Sequence, residues 1–383
     1  MHFHKGVFQA MITDYAKCYG CGACVCACPK QCISMVSNDE GFLYPSIDSS
    51  ACIHCQKCSV VCPINNDLPK TNYFAVYAAV NKNADERNIS SSGGVFLPLA
   101  KWIIHSGGIV FGAAFDDAFE LEHTYAETEE ELKKFCGSKY LQSNLRHSFS
   151  DVEKFLLQGK TILFVGTPCQ VAGLKKYLGK DYEGLYTVDF ICHGVPSPTL
   201  WKKYVRSLHS GKPKDISFRD KSSGWKDYSV RINFEKKDYF CPNTKDRFME
   251  LFISEYPLRE SCFSCAFKDH KSAGDLTLGD FWGVDSIFPN LDDDKGVSLV
   301  LVNTEKGCAL FDHISDQITR IETTYAQAVS RNKSAFTRPQ RNSRRDLYLK
   351  SIKKKSFDYI YKYCYYPTRK ERFHTMIAKM LKR

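Results

Sequence analysis

Two runs of cysteine carry the most specific chemical signal in this chain of 383 residues. Cys18-x2-Cys21-x2-Cys24-x3-Cys28-Pro29 recurs 34 positions later as Cys52-x2-Cys55-x2-Cys58-x3-Cys62-Pro63. Two-residue gaps aim three thiolates at three irons of one 4Fe-4S cube, and the fourth cysteine, followed by proline, turns toward the other cube. The pattern assigns Cys18, Cys21, Cys24 and Cys62 to one cluster, and Cys52, Cys55, Cys58 and Cys28 to the other. Structural zinc prefers two separated CxxC pairs, a spacing these runs lack. Cys26 and Cys32 fall outside the repeat and read as small apolar fillers. Cubes held by four cysteines have no open coordination position, so this module relays electrons and something else must do bond chemistry.

The rest of the chain contains no GxGxxG after a strand, no GxxxxGK[ST], no HExxH, no CxxCH and no CxxxCxxC. Nicotinamide Rossmann binding, nucleotide hydrolysis, zinc proteolysis, c-type haem and radical chemistry on S-adenosylmethionine lose support. What remains is a series of strand-then-loop units. Lys160 to Val165 (KTILFV) reads as a buried strand, followed by the turn Gly166-Thr167-Pro168-Cys169 and an amphipathic helix from Gln170 to Leu178. Leu185 to Ile191 repeats the arrangement and ends in Cys192-His193-Gly194. Ligands of open α/β sheets bind beyond the carboxyl ends of strands, which makes these two loops candidate site elements. Cys262-x2-Cys265, ahead of Gly279-Asp280-Phe281-Trp282-Gly283, adds two thiols. Cys169, Cys192, Cys262 and Cys265 are the candidates for a third 4Fe-4S cluster; structural cysteines or a zinc site are the competing readings. Ser90-Ser91-Ser92-Gly93-Gly94 is read at the start of a helical run through Trp102, where free N–H groups suit a phosphate; a capped surface helix explains it equally. Ser138-Lys139-Tyr140-Leu141-Gln142-Ser143 joins a cation, an aromatic face and hydroxyls, a set that suits a pyrophosphate and a planar ring.

The elements that must position these residues are set by length and composition. At 383 residues with 43% hydrophobic and 25% charged side chains, the chain fits two or three folded domains. No stretch reaches the roughly 20 apolar residues of a spanning helix, and the first residues lack a signal-peptide core. A cytoplasmic location is the expectation, and the 18 cysteines then read as metal or redox residues and not as disulfides. From Arg331 onward 17 Lys or Arg face three Asp or Glu, which leaves the preceding 330 residues mildly acidic. Basicity is thus a property of the end of the chain, and nucleic-acid binding is not expected from it.

In this order, SSSGGVF, GGIVFGAAF, GSKYLQS, ILFVGTPCQVAGL, VDFICHGVPSP, SFRDKSSGW and DLTLGDFWGV followed by DDDKGVSLVLVNT resemble the coenzyme F420 hydrogenase/dehydrogenase beta-subunit family. The resemblance implies an FAD-binding α/β domain that exchanges a hydride with a soluble carrier and single electrons with adjacent clusters. A flavin converts between two-electron and one-electron chemistry, which a ferredoxin module would require. By position, the resemblance makes Ser92, Gly93, Gly94, Ser138, Lys139, Tyr140, Gln142, Ser143, Gly166, Thr167, Pro168 and Gln170 the flavin contacts. His193 and Lys139 become candidates for the redox face, while Arg219, Lys221 and Asp280 shape the site.

The expected architecture is an α+β ferredoxin-like N-terminal module with two 4Fe-4S clusters over 1–70, then an α/β flavin-binding domain over 71–325. Residues 326–383 form a basic, aromatic-rich tail with Tyr359, Tyr361, Tyr363, Tyr365 and Tyr366, and Glu305 to Ile318 reads as an amphipathic helix. The expected partners are a soluble electron-transfer protein or redox-enzyme subunit, and a hydride carrier or small-molecule substrate. The tail reads as a solvated face, as a contact for an acidic partner, or as a peripheral membrane contact. The function read from the chain is an iron–sulfur flavoprotein oxidoreductase, with a non-catalytic electron-transfer subunit as the alternative.

Overall fold

The computed structural model of the chain describes residues 15–65, 71–269 and 271–365. Tyr366 and the other residues after 365 lie outside the described residues, as do residues 1–14 of the iron–sulfur module.

The module is built around its two cysteine loops. Each run leads into a single helical turn, Ala23–Cys26 in the first and Lys57–Val60 in the second. Both turns are entered from a left-handed residue, Gly22 with φ 73° and Gln56 with φ 59°. These occupy equivalent positions of the repeat, so the reversal belongs to the loop geometry; glycine adopts it freely, whereas glutamine is held there by its surroundings. The strands β1 (Ile33–Ser37) and β2 (Leu43–Ile47) pair antiparallel, with Ile33 opposite Ile47, and close the module on one side.

Eleven further strands follow: β3 (Ala75–Asn81), β4 (Ile109–Phe115), β5 (Leu121–Ala126), β6 (Ile162–Val165), β7 (Leu185–Phe190), β8 (Pro213–Asp220), β9 (Ser229–Phe234), β10 (Tyr239–Pro242), β11 (Leu276–Asp280), β12 (Ser298–Val302) and β13 (Ile318–Glu322). Eight of them form one sheet in the order β13-β3-β12-β11-β7-β6-β4-β5. β4, β6, β7 and β11 run parallel to one another; β5 attaches antiparallel at one side, and β12, β3 and β13 at the other, each antiparallel to its neighbour. The continuous apolar runs of β6 and β12 suit strands covered on both faces. One face packs on the helix Phe96–His105 and on Leu310, Phe311 and Ile314. The other packs on the helices Ser148–Leu157 and Pro168–Leu178 together with Cys21, Ala23 and Val61 of the iron–sulfur module. The module is therefore built into the core of the body. A second, antiparallel sheet of β8, β9 and β10 has no counterpart in the sequence reading, whose periodicity does not separate it from the main sheet.

Three local readings change. The helix after β6 begins at Pro168, because Thr167 and Gln170 make a reciprocal capping box. The run from Glu305 ends at Asp312 and is followed by β13, not continued as helix to Ile318. Ser90–Gly94 links two helices, Ala84–Ile89 and Phe96–His105, and the second starts at Val95 without a side-chain cap. Cβ-less Gly93 is required for packing, since a methyl there would stand 2.6 Å from the Ser298 nitrogen.

The basic stretch after Arg331 is folded against the body as far as Tyr365. Tyr348, Ile352, Phe357, Ile360 and Cys364 join a core with Trp201, Tyr204, Phe218 and Phe248. Arg345 is fully buried and reaches three segments: Nη1 donates to the Tyr256 carbonyl at 2.5 Å, Nε meets Glu260 at 3.1 Å and Nη2 meets Glu40 at 3.4 Å. Among the described residues no helix is long and apolar enough to cross a membrane.

Candidate iron–sulfur and cofactor site

The two cysteine runs enclose two hollows. One, of about 20 Å³, is lined by Cys18, Cys21, Cys24 and Cys62 with Tyr19 and Gly20. The other, of about 30 Å³, is lined by Cys28, Cys52, Cys55 and Cys58 with Cys32 and Ile53. Each hollow draws three cysteines from one run and the fourth from the other. Among the described residues no three His, Cys, Asp or Glu side chains converge on the distances of a single metal ion. Four thiols spread around a hollow match a multi-iron cube better than one zinc ion. Burial pushes the Cys24 thiol up to about 12, and Cys21 is raised further by the same cause. Bare, these thiols are neutral, and a bound cluster would hold them as thiolates.

Cys32 is a residue the sequence reading left without a role. Its Sγ lies 3.4 Å from Cys28 Sγ, and it is half-buried in the wall of the outer hollow. Cys26 is half-buried as well, 4.0 Å from the Arg146 carbonyl.

The second group of thiols forms at the carboxyl ends of β6 and β7. Cys169 opens the helix Pro168–Leu178, with Thr167 Oγ1 3.1 Å from its Sγ. Cys192 follows β7, Cys262 lies within the short helix Glu260–Ser264, and Cys265 follows it. A bridge between Pro196 and Leu258 and the bond from Arg259 N to the Val195 carbonyl, 3.0 Å, hold the last two segments together. Each of the four thiols is raised first by burial; the Cys169 thiol is raised further by Cys192, Cys265 and Cys262. Lys268 opposes this at Cys192 and Cys265. The ammonium of Lys268 is buried and donates to the carbonyls of Cys192 and Ser334, the latter at 2.6 Å. Arg338 Nε donates to the Cys265 carbonyl at 2.7 Å, so the segment after β13 lies over this thiol group.

The two thiol groups are joined through Tyr19 and Gly173. Tyr19 follows Cys18; its ring packs edge-on against Phe267 at 5.2 Å, and its hydroxyl accepts from Ala266 N at 3.3 Å. Its hydroxyl is held protonated by burial and by Cys265, Cys169 and Cys262. Gly173, one turn after Cys169 on the same helix face, lets Cys21 approach so closely that a methyl there would stand 2.9 Å from Cys21 Sγ. Arg259 locks the junction. Buried beneath Tyr44 at 4.1 Å, it donates to the carbonyls of Cys18 (2.7 Å) and Leu43 (2.9 Å) and to Gln142 Oε1 (2.9 Å).

The residues expected as flavin contacts fall into separate neighbourhoods. Gln142 Nε2 donates to the Tyr19 carbonyl at 2.9 Å. Ser143, Gln170 and Thr167 belong to one network: Thr167 N donates to Gln170 Oε1, Gln170 Nε2 to Ser143 Oγ, and Ser143 Oγ to His123 Nδ1 at 2.7 Å. His123 Nε2 donates to the Val165 carbonyl at 3.0 Å, and burial holds the ring neutral with a pKa of about 4. Pro168 is buried, and Gly166 N bonds to the Val188 carbonyl. Ser138 N and Oγ both donate to Ser91 Oγ, while Ser92 Oγ donates to the Val297 carbonyl. Lys139 Nζ donates to the carbonyls of Cys136 (2.9 Å) and Gly137 (3.2 Å), and burial lowers its pKa to about 8. Tyr140 packs on Phe218 and Phe252.

Beside Tyr140, Arg219 pairs with Asp280 at 2.6 Å and lies over the rings of Tyr228 (4.7 Å) and Trp282 (5.4 Å). Among the described residues its Nε and Nη2 are buried with no hydrogen-bond partner. Lys221 donates to the carbonyls of Arg87, Ser92 and Lys295, and burial lowers it to about 8. The two unmatched donors over an aromatic wall fit a planar or anionic group better than they fit solvent. His193 is set apart: Phe252 stands between it and Tyr140, its ring 5.1 Å from each. His193 Nδ1 is 3.2 Å from Ser334 Oγ, and burial with the Lys268 charge brings its pKa to about 4. The 3.8 Å approach of Glu255 is thus no ion pair near neutral pH, because the imidazole is uncharged.

Residues 17–66 match a 4Fe-4S dicluster domain, and residues 159–327 match the C terminus of the beta subunit of coenzyme F420 hydrogenase/dehydrogenase. The chain is thus related to that beta subunit over residues 159–327. Among its relatives is an uncharacterized protein of Methanocaldococcus jannaschii, 24% identical over 344 residues that cover 78% of this chain and 87% of that one. An uncharacterized ferredoxin of the same organism is 37% identical over 60 residues, 16% of this chain and 77% of the ferredoxin. A chain of the F420-reducing [NiFe] hydrogenase complex from Methanosarcina barkeri aligns with a TM-score of 0.47 and 17% identity, over 66% of this chain and 83% of that chain. The chain is thus an iron–sulfur electron-transfer protein related to the F420 hydrogenase beta subunit. Tyr19, Arg259, Lys268 and His123 are the site residues that sequence reasoning missed. Tyr19 alone had a visible signal, its place next to Cys18.

Proposed function

We propose that this chain is an oxidoreductase that couples hydride transfer at FAD to one-electron transfer through 4Fe-4S clusters. Cys18, Cys21, Cys24 and Cys62 would hold the inner cluster, Cys52, Cys55, Cys58 and Cys28 the outer one, and Cys169, Cys192, Cys262 and Cys265 a third. The observation that carries the reading is the placement of that third thiol group at the carboxyl ends of β6 and β7, joined to the inner quartet through Tyr19 and Gly173. A bound flavin supplies the exchange between hydride and single electrons. Arg219, with two unmatched N–H groups over Trp282 and Tyr228, would orient the flavin or its partner, and Asp280 fixes the Arg219 plane. Lys139, with its pKa of about 8, is suited to hold a proton near neutral pH. His193 is neutral there and stands apart, behind Phe252.

The hydride partner is an F420-type or other reduced carrier, or the enzyme uses a ferredoxin to reduce a biosynthetic intermediate such as a glycan precursor. The physiological partner is a soluble electron-transfer protein or a subunit of a redox enzyme. A second reading, an electron-transfer subunit without chemistry of its own, is favoured by one observation: most side chains expected at the flavin already have partners inside the fold. Anaerobic purification with iron, sulfide and flavin measured per chain separates the two. About 12 irons, at four per cube, with one FAD supports the enzyme. About eight irons and no flavin after reconstitution makes the chain an electron carrier.

A further inference from the structure

We propose that the surface around Cys52, Cys55 and Cys58 docks a small acidic one-electron carrier protein, with Ile53 at its apolar centre and Lys30 and Lys57 as its charged contacts. The proposal rests on the reading of the two cysteine runs as cluster ligands.

The two halves of the iron–sulfur module are not equally placed. Cys18, Cys21, Cys24 and Cys62 are 4–9% exposed and face the body, whereas Cys55 is exposed and Cys28, Cys52 and Cys58 are half-buried. One hollow is therefore internal and the other opens outward, which gives the module one end where electrons can enter or leave. At that end a large apolar side chain faces water, Ile53 at 56% exposure. Ile53 lines the outer hollow itself. Apolar side chains ringed by polar ones on an exposed face mark an interaction site.

Charge selects the partner. The described acidic residues of the module are Asp39, Glu40 and Asp48. Asp39 lies 3.1 Å from Lys353 Nζ, and Glu40 is buried against Arg345, so both are turned to the body. Asp48 is at the outer end, its backbone N bonded to the Cys32 carbonyl, and its carboxylate accepts from Ser50 N and Oγ. Against that one carboxylate stand Lys30 and Lys57, both exposed and without an ion pair among the described residues. Unpaired lysines around a small apolar centre steer an acidic protein at long range and leave room for a short-lived contact, the pattern of transient redox pairs.

The test measures binding of the full chain, purified with its iron, to a purified acidic plant-type ferredoxin by calorimetry, at low and moderate salt. The expected result is an affinity that falls steeply with salt, as exposed charges within about 10 Å at 0.1 M ionic strength are screened. The double variant Lys30→Glu, Lys57→Glu should weaken binding about tenfold at low salt and flatten the salt dependence, since rim charges set attraction. Ile53→Ser should weaken binding while leaving the salt slope in place. Iron per chain should stay at the wild-type level in both variants. Equal binding by the charge-reversed variant, or equal affinity for a basic cytochrome of similar size, overturns the docking face. A chain that holds no iron overturns the cluster reading and the docking face together, and the iron assay distinguishes this from the first failure.

Discussion

Gly173 tests the junction between the body and the iron–sulfur module. A methyl added there would stand 2.9 Å from Cys21 Sγ, 3.0 Å from Cys21 Cβ and 3.4 Å from a ring carbon of Phe149. Non-bonded heavy atoms settle at about 3.5–4.0 Å, so Cys21 or the helix must retreat by more than half an ångström. Two effects oppose each other. Alanine stabilises a helix interior by about 1 kcal/mol relative to glycine, whereas an extra methyl in a packed site costs about 1–3 kcal/mol. Cys21 has little room to yield, since the neighbouring Cys18 carbonyl and Gly20 are pinned by Arg259 and Gln142. The clash should win. Gly173→Ala is expected to lose up to about 2 kcal/mol net, and Gly173→Val more, through two further methyl groups and χ1 crowding. The assay is urea unfolding followed by circular dichroism, with iron counted per chain after anaerobic purification. The midpoint should fall in the order Gly, Ala, Val, and the iron content should fall toward the loss of about four atoms, one cube. An alanine variant with full iron and a raised midpoint would refute the reasoning, because helix propensity alone would then govern the position.

Three further outcomes are expected. Arg259→Lys removes the fork that reaches Cys18, Leu43 and Gln142 at once and should cost about 3 kcal/mol or more, because buried carbonyls lose their donors; limited proteolysis should then release the iron–sulfur module, and an unchanged digestion pattern counts against its role as a lock. Cys28→Ser should lose the outer cluster while Cys32→Ser keeps it; iron counts in the reverse order would make Cys32 the ligand. Burial raises the Glu40 carboxyl from 4.5 to about 7 against the pull of Arg345. The folded state therefore holds a proton that the unfolded state releases above 4.5, so the stabilising contribution is complete below 4.5 and is lost as pH rises through 7. At 1.36 kcal/mol per unit this is up to about 3 kcal/mol, and the unfolding free energy of Glu40→Gln should fall less than that of the natural protein between pH 5 and 7.5.

Much of the electron-transfer half of this protein was legible in its sequence, because its spacing rules are local. Two-residue gaps between cysteines leave a short loop few ways to aim its thiols, and the 34-residue repeat announces both hollows and the crossing of Cys28 and Cys62 between them. The strand β6 is readable for a similar reason: four consecutive apolar residues followed by a turn have few alternatives. The capping pair Thr167 and Gln170 lies within reach of the same reading and sets the helix start at Pro168, two residues before Gln170.

What tertiary structure alone decided is what meets across distance. Cys169, Cys192 and the pair Cys262 and Cys265 come together because β6 and β7 are adjacent and parallel and the Pro196–Leu258 bridge folds the later segment back. No local pattern encodes that adjacency. Lys268 looked like any surface lysine until burial placed its ammonium on the Cys192 carbonyl. The basic end of the chain reads as a solvated tail by charge, but Tyr348, Ile352 and Phe357 bury one side of it, and Arg345 is carried to Glu40 and Glu260, residues 305 and 85 positions away. Among the described residues its charge is matched by partners from the iron–sulfur module and the body, so the sequence determined which chemistry this protein carries, and long-range packing determined which residues surround it.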